Sequence, residues 1–340
     1  MQTTEAVATP SLSLRVGQLV EVRSEDEILA TLDETGALEQ LPFMPEMARF
    51  CGRQFRVAAV AHKVCDTQSR TGMRRLNNAV NLAGAGARCD GSAHDGCQAD
   101  CLIYWKHAWL KVVEGPASVT ESSGAPAGTR LLPLLISNTT RDPLPDGATS
   151  WRCQATDLLK AAPVGLPMRD LGQYVEDVRT GNVGVLWSSR SFAVGLFNRL
   201  QGTTHKLPSW ARFRGGREWK FIKGGVISGK TPTEITNLQP GEWVRVKSKA
   251  EIEKTLNAEL LNRGLGFDAE MSRFCGRTAK VARRVDHIID EKTGRMLEMK
   301  SPCIVLEGVV CEGAFHASCM RAIPSYWREI WLERIEEPAQ

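Results

Sequence analysis

The sequence contains no run of the roughly 18 apolar residues that a bilayer-spanning helix requires. No charged stretch followed by an apolar run occurs near its start, so no secretory leader is read there and the cytoplasm is the expected compartment. Also missing are an HExxH pair, a nucleophile elbow and a paired CxxC ribbon, which removes the common zinc-peptidase, serine-hydrolase and zinc-ribbon readings. One nucleotide-binding match is present in letters only. Gly224-Gly-Val-Ile-Ser-Gly229-Lys230-Thr231 fits GxxxxGK[ST], but Pro232 follows at once and Pro240 soon after. The helix whose N-terminus would hold the phosphates has no room, and no nucleotide is expected at 224–231.

What is present is a chain of 340 residues, 42% of them hydrophobic, with a formal net charge of +4. That length accommodates two or three domains with their own cores. Residues 1–14 are rich in Thr, Ala and Ser and read as a disordered arm. Ten cysteines in a reducing compartment point to metal ligation rather than to a disulfide framework.

The chain repeats itself. Gly17–Gly52 aligns without a gap on Gly241–Gly276, with sixteen of 36 positions identical, too many for chance. After a two-residue length change the alignment resumes with Cys89/Cys311, Gly91/Gly313, His94/His316, Cys97/Cys319, Tyr104/Tyr326, Trp105/Trp327 and Trp109/Trp331. Each copy starts with a short alternating strand, followed by a capping box, Ser24-x-x-Glu27 or Ser248-x-x-Glu251, that opens a short helix. A second helical turn should carry Met47 and Phe50, and strands should follow over 55–64 and 279–289, each leading through a glycine turn into a further strand. The expected fold is α+β, mainly β: two homologous, small, SH3-like barrel modules at 15–114 and 240–336. Between them lies a partly helical, basic connector over 115–239.

Each copy also carries C-[DE]-G-x-x-H-x-x-C: Cys89, His94 and Cys97 in the first, Cys311, His316 and Cys319 in the second. Thiolate and imidazole donors in a tight loop suit a closed, tetrahedral zinc site, and the glycine lets the loop turn around the ion. Two zinc ions per chain are expected. Cys51 and Cys275, both within Arg-Phe-Cys-Gly, would add a third thiolate from a distant part of each module. The fourth ligand stays open between the histidines, kept in both copies, and Cys101 or Cys303, each kept in one. Cys65 and Cys153 have no counterpart in the repeat.

The connector opens with a Pro/Gly/Ser-rich linker over 115–128. It then shows a short strand within 131–144 and helical patterns over 151–162, 168–179 and 183–200. On the last of these, Leu186, Ala193, Phe197 and Leu200 are expected to form the apolar side. Residues 180–230 hold nine Lys or Arg against one acid, Glu218, with seven Trp and Phe interleaved. Arg212, Arg214, Arg217 and Lys220 are the predicted contacts to a polyanion, either an anionic membrane surface, which would place the protein at the membrane periphery, or nucleic acid.

Gly241–Ser248, Met271–Gly276, Asp290–Arg295 and Tyr326–Leu332, with Met47–Gly52 and Cys89–Leu110 in the first copy, resemble a group of uncharacterised bacterial proteins. The resemblance covers both repeats. It implies a bacterial source and brings no activity with it. The functional expectation is a zinc-stabilised tandem binding or scaffold protein, its partner a protein or a polyanion met partly through Tyr104, Trp105, Trp109, Tyr326, Trp327 and Trp331. The alternative is a hydrolytic metalloenzyme with an open zinc position and Asp90, Asp95 or Glu312 as base.

Overall fold

A computed structural model describes residues 13–114, 130–204 and 206–338. The expected linker over 115–128 and most of the arm over 1–14 lie outside these residues, while Leu14 is buried in the first core.

The first module opens with β1 (Leu19–Val22), whose Val20 and Val22 point into the core. Ser24 then caps α1 (Glu25–Leu29): its Oγ accepts from Glu27 N, and the Glu27 carboxylate accepts from Ser24 N. A 3-10 turn over Pro45–Phe50 buries Met47 and Phe50 and leads to Gly52 at φ +74°. There follow β2 (Gln54–Val60), β3 (Lys63–Cys65), β4 (Met73–Arg75), β5 (Ala79–Leu82), β6 (Trp105–Lys106) and β7 (Leu110–Val112). Five of these strands form one antiparallel sheet in the order β6-β5-β2-β1-β7. β3 and β4 extend the central hairpin outward. The edge strands β6 and β7 are joined by a three-residue 3-10 turn, His107–Trp109. A link that short cannot cross the width of a flat five-stranded sheet, about 19 Å at 4.8 Å per strand, so the sheet curls until its edges approach.

The connector packs on both modules. Leu131 and Leu135 of α2 (Leu131–Ser137) and Leu158 and Ala161 of α3 (Gln154–Ala161) complete the first core. Where a strand was expected within 131–144, helix α2 comes first, and only Thr140–Arg141 pairs, with Ser150–Trp151. α4 (Gly172–Arg179) brings buried Asp177 to Lys63 Nζ at 2.5 Å and His62 Nε2 at 2.7 Å. α5 (Val185–Thr204) lies on the second module with a polar side inward. Ser188, Ser191, Val194 and Gln201 are buried, whereas Leu186 is 88% exposed and Leu200 56%. The expected apolar side therefore faces outward, apart from half-buried Phe197. The Ser191 hydroxyl decides this, since it donates to Gly313 O and accepts from Ser318 N.

The second module repeats the first with β8 (Trp243–Val246), capped α6 (Lys249–Glu253), β9 (Thr278–Ile289), β10 (Met296–Val310), β11 (Pro324–Arg328) and β12 (Leu332–Arg334). Its sheet order, β11-β10-β9-β8-β12, is the same. Register shifts recur at equivalent places, Val57/Ala59 and Val281/Arg283. Of the aromatics expected to meet a partner, Tyr104 and the four tryptophans are core, while Tyr326 is half-buried. Trp105, Trp109, Trp327 and Trp331 are fully buried, and Phe43 and Phe267 meet Trp109 and Trp331 edge-on at 5.0 and 5.5 Å. Among the described residues no helix is long and apolar enough to cross a membrane.

Candidate metal centre

Both cysteine loops are held by one hydrogen-bond pattern. Cys89 N donates to Cys101 O, His94 N to Gly91 O and Cys97 N to His94 O; Cys311 N, His316 N and Cys319 N donate to Ile323, Gly313 and His316 carbonyls in the same way. Gly91 and Gly313 stand at φ +71° and +67°, and a Cβ there would lie 2.2 Å from Cys97 O and 2.4 Å from Cys319 N. Only glycine fits, by backbone angle and by space.

Each loop delivers its donors to a buried carboxylate. Cys89 and His94 converge with Glu46, and Cys311 and His316 with Glu270, every ligand atom within 4.8 Å of the others in its group. In the first group Cys89 Sγ–H donates to Glu46 Oε1 at 2.9 Å, while Glu46 Oε2 and His94 Nδ1 are buried without a partner. The other imidazole nitrogen, Nε2, lies 3.0 Å from Arg152 O. A carbonyl there takes a hydrogen bond from Nε2 and leaves Nδ1 as the nitrogen open to a further partner, the usual arrangement behind a metal-bound histidine. In the second group Cys311 Sγ is 3.9 Å from His316 Nδ1. Glu270 Oε1 accepts from Phe315 N at 2.6 Å and Oε2 from Arg273 Nη1 at 3.2 Å. Burial, then Glu270, pushes the Cys311 thiol up to about 12; burial and Glu46 likewise raise Cys89.

The two glutamates are the members of these candidate groups that sequence reasoning passed over. Their signal was present: Glu46 and Glu270 are an identical pair in the repeat, set between residues that face a core.

The expected third thiolates stand elsewhere. Cys51 and Cys275 are in neither group. Burial and Glu25 raise Cys51 to about 12, and the charged neighbours of Cys275 are Lys249, Lys220 and Glu253. Their repetition reflects the tight turn they end, just before left-handed Gly52 and Gly276. Cys303 is buried on β10, where Arg328 Nη1 donates to its Sγ at 3.3 Å. Cys97, Cys101 and Cys153 line a cavity of about 540 Å³ with Cys89, His94, Ile289 and Tyr326. Burial lifts Cys153 to about 11. Cys319 is buried in the second loop, and Cys65 N donates to its Sγ at 3.3 Å.

Several of the described aromatics of the basic segment pack together. Phe197, Phe213, Trp219 and Phe221 form an edge-to-face cluster with centroids about 6 Å apart. Arg214 and Arg217 are exposed, whereas Arg212 and Lys220 are half-buried, Arg212 Nε donating to Leu207 O and Lys220 lying over the Phe315 ring. Trp210 stands 87% exposed. The P-loop-like glycines have another use. At Gly224 a Cβ would lie 1.8 Å from Asn257 O, so the loop needs glycine to lie against α6 and the segment after it.

Two homologous strand-rich modules, each with a cysteine–histidine loop closing on a buried acid, define the class of architecture. No family model, curated protein or solved structure matches the chain.

Proposed function

We propose that this is a zinc-stabilised tandem binding or scaffold protein, each module a small SH3-like barrel tied by one structural zinc. One observation carries the reading: His94 Nδ1 and Glu46 Oε2 are buried without partners beside Cys89 Sγ. Each orphaned buried polar atom costs about 1–3 kcal/mol, and a cation between the three groups would satisfy both at once. Sulfur, imidazole and carboxylate donors suit zinc. Cys97 and Cys319 lie one loop turn further on and on this reading would add thiolates, giving closed sites rather than an open catalytic position. The hydrolase alternative also loses two of its three candidate bases: Asp90 is paired with Arg49 at 2.8 Å and Glu312 with Arg273 at 2.6 Å.

The partner surface on this reading is residues 180–230, and the partner an anionic membrane surface. Its support is the outward row Leu186, Arg190, Ala193, Leu196 and Leu200, spaced by three or four along α5 and all exposed, together with Trp210 and Phe213. A bilayer gives a whole aliphatic row along one helix an apolar phase to enter, which phosphates do not.

Elemental analysis of the full chain purified without added metal tests the zinc reading. Two zinc ions per chain are expected; a value near zero in folded protein, with the cysteine-loop thiols freely titratable, would refute it.

A further inference from the structure

We propose that the second metal is held across the two modules, by Cys65 of the first together with Cys311, His316 and Cys319 of the second. The proposal rests on the zinc reading and adds to it a ligand that the repeat could not indicate.

The hairpin of each module reaches the cysteine loop of the other. Ile289 N, at the end of β9, donates to Cys97 Sγ at 3.3 Å; Cys65 N, at the end of β3, donates to Cys319 Sγ at 3.3 Å. The offset that pairs Val57 with Val281 at the shared register shift also pairs Cys65 with Ile289. The two contacts are thus one contact made twice by an approximate internal two-fold. Only one of the two incoming residues carries a thiol. The first loop receives Ile289 and finds its spare thiols nearby, in Cys101 and Cys153. The second loop receives Cys65.

Around that point stand four donors of the kinds zinc takes, with Cys311 and His316 already converging beside Glu270 and Cys65 and Cys319 joined next to them. Cys65 N donates to Cys319 Sγ at 3.3 Å, and Cys311 lies close enough to interact with the charges of both cysteines. His316 Nδ1 is 3.9 Å from Cys311 Sγ, and Cys65 interacts electrostatically with His316. Three thiolates and one imidazole are a standard closed tetrahedron. Glu270, also beside Cys311, has both oxygens engaged by Phe315 N and Arg273 and so supports the loop. Buried Arg321 fixes the approach of the incoming hairpin: its Nη1 donates to Cys65 O at 3.2 Å and Thr67 Oγ1 at 2.6 Å, and its Nη2 to Glu291 Oε1 at 2.6 Å. Zinc here would clasp one module to the other, whereas the first zinc takes its thiolates from residues 89–153.

The test uses the full chain. Zinc content is measured for the parent, for Cys65→Ser, for Cys65→His, which keeps a donor, and for Cys275→Ser as a control. Expected values are two per chain for the parent and the control, one for Cys65→Ser, and recovery toward two for Cys65→His. In parallel, alkylation of the parent with peptide mapping should show Cys65, Cys311 and Cys319 protected together and exposed together on adding a strong chelator. This arm does not depend on any variant folding. A parent with two zinc ions and a Cys65→Ser variant that also keeps two would overturn the proposal and leave the zinc reading standing. So would Cys65 labelling that ignores the chelator while Cys311 and Cys319 respond. A parent with no zinc overturns both.

Discussion

Gly91 and Gly313 show how one residue sets a site. Each sits in the left-handed region with the backbone of the loop's last cysteine pressed against its α-carbon. Gly17 has a similar angle, φ +84°, but open space around it, so the pair separates backbone strain from crowding. Gly17→Ala should cost about 1 kcal/mol from the angle alone. Gly91→Ala must also displace Cys97 O. It should cost about 3 kcal/mol in thermal or denaturant unfolding and release one zinc of two, because Cys89, His94 and Cys97 no longer share a turn. Equal destabilisation by the two substitutions would show that the loop absorbs the methyl group and that its glycine is not what shapes the site.

At the scale of elements, α3 connects fold to site. Asp157, in its first turn and buried, accepts from Arg152 Nε at 2.7 Å and Arg141 Nη2 at 2.6 Å and pairs with Lys160 at 2.8 Å. The Arg152 carbonyl is the one that orients His94. Burial pushes the Asp157 carboxyl up, but Lys160, Arg141 and Arg152 together leave it below the ordinary value of 3.8. A depressed folded pKa gives stability that is complete above the unfolded value and is lost as pH falls through the folded one. The contribution of Asp157 should therefore disappear below about pH 3.8. Asp157→Asn should lower stability at pH 7 by about 2 kcal/mol and flatten this acid limb in equilibrium unfolding. It should weaken the first zinc alone by about 10–100-fold, seen as earlier release of one of two ions in a chelator titration. Simultaneous release of both would break the link between Asp157 and His94. Elements of this kind were legible where the signal is local. Both capping boxes, the α3, α4 and α5 helices and the cysteine loops follow from spacing within a dozen residues. Cys65 and the inward face of α5 were not, because each is set by a partner far away in sequence, Cys319 and Gly313; Glu46 showed only as an identity between the copies, which does not name its partner Cys89. Cys51 falls outside the candidate group, and its identity between the copies does not by itself make it a ligand. Identity between copies marks any residue both folds need, and a turn needs Cys51-Gly52 as much as a metal would.

At the scale of the molecule, two near-copies exchange hairpin ends, and the connector adds what neither copy has. Its excess charge is concentrated over 180–230, nine basic residues against Glu218, and α5 turns an apolar row to solvent because its Ser191 is engaged by the second cysteine loop. A charged, apolar-studded surface of this composition should bind vesicles containing phosphatidylserine, with an affinity that falls as salt screens the attraction. Exposed basic side chains contribute about 1 kcal/mol each at an anionic bilayer. Of Arg212, Arg214, Arg217 and Lys220, only Arg214 and Arg217 are fully exposed, so the quadruple Gln variant should lose about 2 kcal/mol, a roughly 30-fold weaker partition. Leu186→Ser with Trp210→Ala should also weaken vesicle binding, but without changing its salt dependence, because these side chains act by entering the interface rather than by charge. Co-sedimentation at two ionic strengths separates the contributions. Binding to single-stranded nucleic acid that survives the Leu186 and Trp210 changes and is lost in the quadruple variant would assign the surface to phosphates in solution. Retention of vesicle binding by the quadruple variant would remove the basic segment from the partner surface altogether.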